Sequence, residues 1–261
     1  MYKVYKNVKM TDEGFLFGIE NEAASKSCSP GQFFEVTYKK ELPKVPVIIA
    51  DILPERGVVK VVFRPVNETT VAMTKLDNGD YIEDLTGPFG NPCPFYKDDL
   101  SGKTVLVVAE DLAGAAAYLM IHDIGKKCAA IDAVAGGKTK GCLYLSEFTG
   151  ELCRKYINLS DDGTQGEKGT IVDRIGDILD SEKYDLAVVL GFADTAETIC
   201  REALNRGIKT YVSFDPAITN KQGYKTVNHV VVDGVESCLK ETGTMYDASK
   251  VDFGDIKAQL K

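Results

Sequence analysis

The stretch from Thr104 to Tyr118, TVLVVAEDLAGAAAY, constrains the fold more than any other part of this sequence. Residues 104–108 suit a buried parallel strand and lead through a short turn into an alanine-rich helix, which is how α/β nucleotide sites begin. The turn, however, contains Glu110 and Asp111, where a pyrophosphate needs glycines and exposed backbone N–H groups. A like charge about 4 Å away costs roughly 1 kcal/mol in water and about 4 kcal/mol at a protein surface. The sequence therefore predicts a nucleotide-binding type of α/β fold in which NAD(P) binding is not expected.

The composition excludes several classes of protein. The 261 residues suffice for one large or two modest domains. Apolar runs fall short of the roughly 20 residues of a membrane span, and the N-terminal residues lack the apolar core of a signal peptide. A formal net charge of −8 argues against nucleic acid as a partner. We therefore expect a cytoplasmic protein without membrane insertion, whose partners are small molecules or other proteins.

Cysteine and histidine usage leaves little material for a metal site or a catalytic triad. The seven cysteines are scattered without a C-x-x-C pair, which suits reduced thiols better than a disulfide framework or a zinc ribbon. The two histidines, His122 and His229, are too few for a His-based metal site.

The first part of the chain predicts a small antiparallel β-barrel. Short β-branched and aromatic runs are separated by Gly, Pro and Asp turns, and a helix is predicted over 69–76. The runs are YKVYKNVKM, GFLFGIEN, QFFEVTYK, VPVIIADI, GVVKVVFRPV and DYIEDLTG.

The second part predicts a parallel sheet with helices on both faces. Beyond the proline-containing segment 91–102, strand-like and helical segments alternate, which indicates βαβ units. Predicted strands cover 104–108, 128–134, 186–190 and 209–214, and predicted helices cover 112–124, 146–156, 170–179 and 194–205. Near the end, two valine-rich runs flank Asp233-Gly234, a strong hairpin signal. We predict a barrel over 1–98, an α/β domain over 99–216 and a hairpin with its tail over 217–261.

Five segments of the chain resemble one branch of the ferredoxin-NADP reductase superfamily in both order and spacing. They are PGQFFEV (30–36), VPVIIADI (45–52), LTGPFGNP (85–92), SDDGTQGEKG (160–169) and GIKTYVSFDP (207–216). The branch includes the electron-transfer subunit of dihydroorotate dehydrogenase, the β subunit of sulfide dehydrogenase and the small subunit of NADH-dependent ferredoxin:NADP oxidoreductase. The resemblance implies a barrel that binds FAD, an α/β domain that binds a nicotinamide nucleotide, and a C-terminal lobe with a [2Fe–2S] cluster.

The resemblance places candidate FAD contacts on the fourth barrel strand and at the inserted helix. Members of the branch carry Arg-x-Pro-Leu-Thr/Ser on that strand, whereas this chain has Lys44 in place of the arginine and Ile48 in place of the hydroxyl residue. Lysine lacks the bidentate fork of arginine, and isoleucine lacks the hydrogen-bonding group. The helix start offers two threonines to a phosphate, or serves simply as a cap. The candidate residues are Lys44, Pro46, Val47, Ala50, Asp51, Asn67, Thr69 and Thr70.

The nucleotide and cluster sites match the branch less well. Gly114 survives from the glycine run, and Asp162 and Gly191 occupy positions that surround the nucleotide in relatives. The structural needs of a strand-to-loop exit also account for both residues and are the favoured explanation. The implied cluster positions hold Asn220, Lys225, Asn228 and Cys238, and one thiolate is too few. We expect no [2Fe–2S] cluster and no other metal.

Two functions follow from the resemblance. One is a ferredoxin-NADP-reductase-like electron-transfer subunit of a flavin-dependent oxidoreductase complex, which holds FAD. The alternative is a cofactor-poor, non-catalytic scaffold subunit that keeps the reductase fold to bind a larger catalytic partner. Both imply a larger oxidoreductase subunit as the partner.

Overall fold

The computed structural model of the chain describes residues 1–11, 14–218 and 225–261. Its first half forms a nearly closed antiparallel barrel of seven strands: β1 (Tyr2–Lys9), β2 (Phe15–Glu20), β3 (Phe33–Thr37), β4 (Val45–Leu53), β5 (Val58–Phe63), β6 (Tyr81–Ile82) and β7 (Asp84–Phe89). The strand order is β6-β1-β2-β5-β4-β3-β7. The predicted barrel is confirmed, and its last predicted run is divided between β6 and β7.

Two helices interrupt the barrel, where one was predicted. The predicted one is α2 (Glu68–Met73), and the missed one is α1 (Glu22–Ser27). Helix α1 is short, and its start is stabilised by the side chain of Asn21, which accepts a hydrogen bond from the N–H of Ala24 at 3.0 Å. This cap, with Glu22 in the first turn, is the signal that sequence reasoning overlooked.

The second sheet is parallel except for its last strand. It contains β8 (Thr104–Glu110), β9 (Ala130–Gly137), β10 (Lys155–Ser160), β11 (Glu167–Lys168), β12 (Leu186–Leu190), β13 (Lys209–Ser213) and the antiparallel β16 (Met245–Asp247). The order is β11-β10-β9-β8-β12-β13-β16, so the direction of strand addition reverses between β8 and β12. The prediction of a helix over 146–156 is wrong beyond Gly150, because Lys155–Ser160 instead extends the sheet beside β9.

Helices cover both faces of this sheet, as predicted. They are α3 (Ala113–Ile124), α4 (Ser146–Gly150), α5 (Ile171–Asp180), α6 (Ala193–Asn205) and α8 (Phe253–Gln259). A further short helix, α7 (Leu239–Thr242), lies beside β7 of the barrel and the strand β15. A separate hairpin joins β14 (His229–Val232) to β15 (Val235–Cys238) through the predicted Asp233-Gly234 turn. Within the described ranges, none of the helices is both long and apolar enough to cross a membrane. The domain boundaries at 98 and 216 stay predictions.

Three buried clusters hold these layers together. One fills the barrel, a second joins the barrel to α3 and one face of the sheet, and the third lies under α5, α6, α8 and the hairpin. Helix α3 packs against β4, so the barrel and the sheet share a continuous core at this joint.

A buried polar network ties the amino-terminal ends of the parallel strands. Asp132 on β9 is 2% exposed and accepts two hydrogen bonds from Arg154, at 2.9 and 2.7 Å, and one from the hydroxyl of Tyr184 at 2.9 Å. Burial opposes the charged carboxylate, but these hydrogen bonds keep the pKa of Asp132 below its usual value. The charge of the Asp132 carboxylate on β9 is therefore compensated by hydrogen bonds from residues just before β10 and β12.

Replacing Arg154 tests this network. Arg154→Met leaves the buried carboxylate of Asp132 with the Tyr184 hydroxyl as its remaining partner among these two, so we expect a clear loss of unfolding free energy. Urea denaturation measures it. The matched control is Arg201→Met on the exposed face of α6, where a change within about 0.5 kcal/mol is expected. Equal losses of unfolding free energy in both variants would contradict a stabilising role for this network.

Candidate functional site

A narrow cleft lies between the barrel and the carboxyl ends of β8 and β12, where the strand order of the sheet reverses. Such a reversal point is where open α/β sheets bind ligands. Three of the predicted flavin residues, Pro46, Asn67 and Thr70, line the barrel wall, and the turn after β8 with Phe192 forms the other wall. The free volume between the walls is about 60 Å³.

The polar groups at the start of α2 bond to one another. The side chain of Asn67 accepts a hydrogen bond from the N–H of Thr70 at 2.9 Å, and the Thr70 hydroxyl accepts one from the N–H of Asn67 at 3.1 Å. The Thr69 hydroxyl donates to the carbonyl of Pro43 at 2.8 Å. Both threonines are buried. This is the geometry of a helix cap, and it uses the groups that the resemblance offered to a phosphate.

The remaining predicted residues on β4 do not converge on the cleft. Val47 packs inside the barrel, and Ala50 packs in the cluster shared with α3. Asp51 forms an ion pair with Lys60, with its Oδ2 atom 2.6 Å from the lysine Nζ. Lys44 is exposed just before the strand. Alternation along the strand explains this separation, since neighbouring side chains point to opposite faces.

The acidic turn after β8 is built into the sheet rather than open to solvent. Asp111 has a left-handed backbone, with φ of 62°, and its N–H donates to the carbonyl of Gly136 at 2.8 Å. Glu110 accepts a hydrogen bond from the N–H of Phe192 at 3.4 Å. A Cβ on Gly191 would lie 2.8 Å from the Cβ of Glu110, so this glycine allows the ends of β8 and β12 to approach.

Arg64, which sequence reasoning missed, faces Asp111 across the cleft. It follows β5 directly, and its guanidinium forms an ion pair and hydrogen bond with the carboxylate of Asp111. Its Nε also donates to the hydroxyl of Tyr144 at 3.4 Å, and its Cζ lies 5.9 Å from the centre of that ring. Burial opposes the charge of Arg64, but the neighbouring Asp111 and Tyr144 raise its pKa above the usual value. One of the two carboxylates expected to repel an anion is therefore already neutralised within the chain.

Close contact with Tyr144 also explains why residue 114, at the end of the turn, is a glycine. Tyr144 is 1% exposed, and a Cβ on Gly114 would lie 2.7 Å from its carbonyl oxygen. A Cβ on Gly14 would lie 2.5 Å from its hydroxyl. The side chain thus occupies space between the barrel and α3, and Gly114 has a packing requirement that is independent of any nucleotide.

Comparison with known proteins agrees with this architecture over its whole length. No family model matches the chain. It is 27% identical over 260 residues to an uncharacterized protein of Clostridium beijerinckii, covering 98% of this chain and 88% of that one. It is 26% identical over 258 residues to a dihydroorotate dehydrogenase B (NAD(+)) electron transfer subunit homolog of Thermotoga maritima, covering 99% and 90%.

A solved structure gives the same result at the level of the fold. A chain of the NADH-dependent reduced ferredoxin-NADP oxidoreductase, studied for flavin-based electron bifurcation, superposes with a TM-score of 0.85 at 25% identity. The match covers 100% of this chain and 92% of that chain. The chain is a homologue of these proteins with a ferredoxin-NADP-reductase-like fold. The resemblance and the fold class predicted from the sequence are confirmed.

The cleft of this reductase-like chain, as described, does not fit FAD. Pockets for cofactors of this size occupy about 300–1,000 Å³, several times the volume found between Pro46 and Phe192. The guanidinium that would attract a phosphate is paired with Asp111. The hydroxyl of Thr69 bonds to the carbonyl of Pro43, and that of Thr70 accepts from the N–H of Asn67 at the start of α2. A flavin would enter only if the two walls separated.

The loop after β10 closes on itself. Asp162 accepts hydrogen bonds from the N–H and hydroxyl of Thr164, at 2.9 and 2.6 Å, and these bonds lower its pKa. The Ser160 hydroxyl donates to the carbonyl of Gln165 at 2.7 Å. This is an ordinary side-chain turn, so Asp162 has a structural role whether or not the loop contacts a ligand.

A larger cavity lies elsewhere in the reductase-like chain. It has a volume of about 610 Å³ between the end of β1 and the connection from β9 to β10, and its lining includes Lys9, Thr11, Lys140 and Phe148. None of the predicted site residues lines it. Sequence reasoning missed it because the barrel and the sheet supply its walls from segments about 130 residues apart, and their docking has no local signal.

The C-terminal hairpin and the residues before it hold the positions at which the resemblance implies cluster ligands. Asn220 lies outside the described residues. The N–H of Asn228 donates to the side chain of Gln259 at 3.1 Å, and Cys238 is exposed opposite His229. Across residues 1–11, 14–218 and 225–261, no group of three or more His, Cys, Asp and Glu side chains is placed to hold a metal ion. The absence of a cluster stays a prediction.

Asp215 is a buried carboxyl group that the sequence did not single out. It follows β13, is 5% exposed, and its Oδ1 accepts a hydrogen bond from the N–H of Ala217 at 2.9 Å. It borders a small void between β4 and the sheet that is lined mainly by apolar side chains. Burial raises its pKa from 3.8 to about 7.

The packing explanation of Gly114 predicts opposite effects at two helical glycines. Gly114→Ala should lower the unfolding free energy by about 1–3 kcal/mol, because the added Cβ collides with a backbone oxygen. Gly176→Ala in α5 is the control, since its Cβ would meet nothing closer than 3.7 Å and alanine favours a helix by about 0.5–1 kcal/mol. Urea denaturation without added ligand distinguishes them, and a neutral Gly114→Ala would contradict the explanation.

Asp215 predicts a pH-dependent stability. The folded chain holds this proton and the unfolded chain releases it between pH 3.8 and about 7, so folding loses about 1.4 kcal/mol per pH unit across that window. Asp215→Asn keeps the oxygen that accepts from Ala217 but cannot ionise. We expect the variant to gain stability over the native chain as pH rises from 5 to about 7, measured as the difference between their urea midpoints. A difference independent of pH would contradict the assignment.

Proposed function

We propose that this chain is the ferredoxin-NADP-reductase-like electron-transfer subunit of a flavin-dependent oxidoreductase complex, and that it acts beside a larger catalytic subunit. The observation that carries the proposal is the end-to-end similarity to the Thermotoga maritima electron transfer subunit homolog, over 99% of this chain. The superposition on a chain of the ferredoxin-NADP oxidoreductase supports the same role. In this proposal the chain holds a flavin when the cleft is open.

A second candidate is favoured by the closed cleft. The Arg64–Asp111 ion pair spans the cleft, whose free volume of about 60 Å³ is small for a cofactor. A subunit of this kind would keep the reductase fold to bind its catalytic partner and would carry neither FAD nor NAD(P). The chemistry of the complex would then belong to the partner.

The hairpin is the proposed contact surface for that partner. Val235 at its turn is 65% exposed, and β15 has a free edge along its outer side within the described part of the chain. The tail from Tyr246 to Leu260 is not suited to be a contact surface, because Tyr246, Phe253 and Ile256 are buried against the α/β sheet. The apolar side chains of the tail therefore stabilise this chain instead of a partner.

Copurification tests the proposal. The tagged full chain, expressed in its own cells, should recover one larger oxidoreductase subunit, and Val235→Asp should reduce that recovery several-fold. The matched control is Val172→Asp, an exposed valine on α5 at which we expect no change. Recovery of the native chain as a lone monomer would overturn the proposal.

Visible absorbance of the recovered chain separates the two candidates. A flavin spectrum that stays with this chain after the partner is removed selects the electron-transfer subunit. A colourless chain that still recovers its partner selects the cofactor-poor subunit.

A further inference from the structure

Asp215 lies at the joint between the barrel and the sheet. It directly follows β13, is 5% exposed, and borders a void that has walls from both layers. On the barrel side the walls include Gly31 and Ile48, and on the sheet side they include Met120 of α3 and Met245 of β16. The carboxyl group therefore lies where the two layers pack against each other.

The void has no room to hydrate a charged carboxylate. Its free volume is about 10 Å³, which is close to the least that a single water molecule needs. Its polar side chains already have partners. Gln32 donates to the carbonyl of Gly90 at 2.6 Å, and the Ser213 hydroxyl donates to that of Thr244 at 3.3 Å. An ionised carboxylate in the closed void would therefore lack the water that a charge needs.

The charged groups around Asp215 lie away from the void. The ionisable side chains of the surrounding elements are Glu35 on β3, Asp51 on β4, Tyr118, His122 and Asp123 on α3, Lys209 and Tyr211 on β13, and Tyr246 and Asp247 on β16. None of these side chains, as the structure describes them, borders the void. Beyond the turn over 215–218, the cleft holds Arg64 and Asp111, which are paired with each other. Burial raises the pKa of Asp215 to about 7, and the N–H of Ala217 offsets this only in part.

Hydrogen bonds connect Asp215 to the barrel through the edge of the sheet. The N–H of Phe214 donates to the carbonyl of Thr244 at 2.7 Å, and the N–H of Thr244 donates to the carbonyl of Gly31 at 3.1 Å. On its other side, Asp215 begins the turn whose residues 216–218 line the cleft. A change at Asp215 therefore reaches both the joint and one wall of the cleft.

We infer that Asp215 is a proton-controlled switch of this joint, in which the protonated carboxyl group keeps the void closed and release of the proton to solvent opens it to water. The reason is the cost of a charge that has neither a cation nor water beside it. Separation of residues 30–32 from residues 213–218 lets water reach the carboxylate without unfolding either layer. The inference concerns the isolated chain and rests neither on the partner subunit nor on a bound cofactor.

The joint should open as the pH rises. The closed joint keeps the proton up to a pH of about 7, whereas a hydrated carboxyl group in the open joint has the ordinary pKa of 3.8. Each opening therefore releases a proton within this window. The equilibrium constant for opening should rise about tenfold per pH unit up to a pH of about 7 and level off above it.

Hydrogen exchange of the full chain, followed residue by residue by NMR from about pH 5 to about pH 8, measures this opening. The reporters are the N–H groups of Phe214 and Thr244, and the rates of the native chain are divided by those of Asp215→Asn at the same pH. Asparagine cannot ionise, so this ratio should rise about tenfold per pH unit up to a pH of about 7 and then level off. Asp247→Asn on β16 is the matched control and should keep the pH profile of the native chain.

The barrel core separates opening of the joint from global unfolding. The N–H groups of β5 should exchange more slowly than those at the joint at every pH, because the opening leaves the barrel folded. Exchange of Phe214 and Thr244 only together with β5 would overturn the inference, since Asp215 would then act on overall stability alone. A ratio that stays constant with pH, or a flat profile in Asp247→Asn, would also overturn it. If Asp215→Asn does not fold, unstructured peptides with the sequences around both reporters supply the reference rates for the native chain.

Discussion

The ion pair between Arg64 and Asp111 joins the two halves of the molecule at the point where a reductase-like fold would hold its cofactors. Its partners are 47 positions apart in sequence and belong to different layers. The surrounding features depend on it. The turn after β8 adopts a strained backbone, Tyr144 packs over the guanidinium, and the cleft closes to about 60 Å³. Because an uncompensated buried charge is costly, each side of the pair fixes the other in place.

Most of the fold was predictable because its signals are local. Alternating β-branched and aromatic runs specify the barrel strands, and the buried run at Thr104 with its alanine-rich helix specifies the centre of the sheet. The predicted helix over 146–156 was wrong beyond Gly150, and the strand over Lys155–Ser160 was missed. Pairing with β9 makes residues 155–160 a strand. A pairing between distant segments has no signature within the segment itself.

The site was less predictable than the fold, for a physical reason. The sequence suggested that Asn67 and Thr70 either cap a helix or hold a phosphate, and a hydrogen-bonding group looks the same in both roles. The structure shows the cap. The acidic turn was correctly identified as unusual, but its meaning depends on Arg64, which no pattern around residue 111 reveals. Positions that depend on an interaction between distant elements need the assembled core before they can be interpreted.

The segment around α7 has a further consequence for how the chain assembles. The N–H of Gly90 donates to the carbonyl of Lys240 at 2.8 Å, the Lys240 ammonium lies 2.7 Å from Glu35, and the N–H of Thr244 donates to the carbonyl of Gly31 at 3.1 Å. Residues 240–244, which are synthesised late, thus connect the barrel to β16 at the edge of the sheet. In the described chain, seven barrel strands and six parallel strands precede residues 240–244 in sequence. Both layers therefore emerge from the ribosome before the segment that connects them.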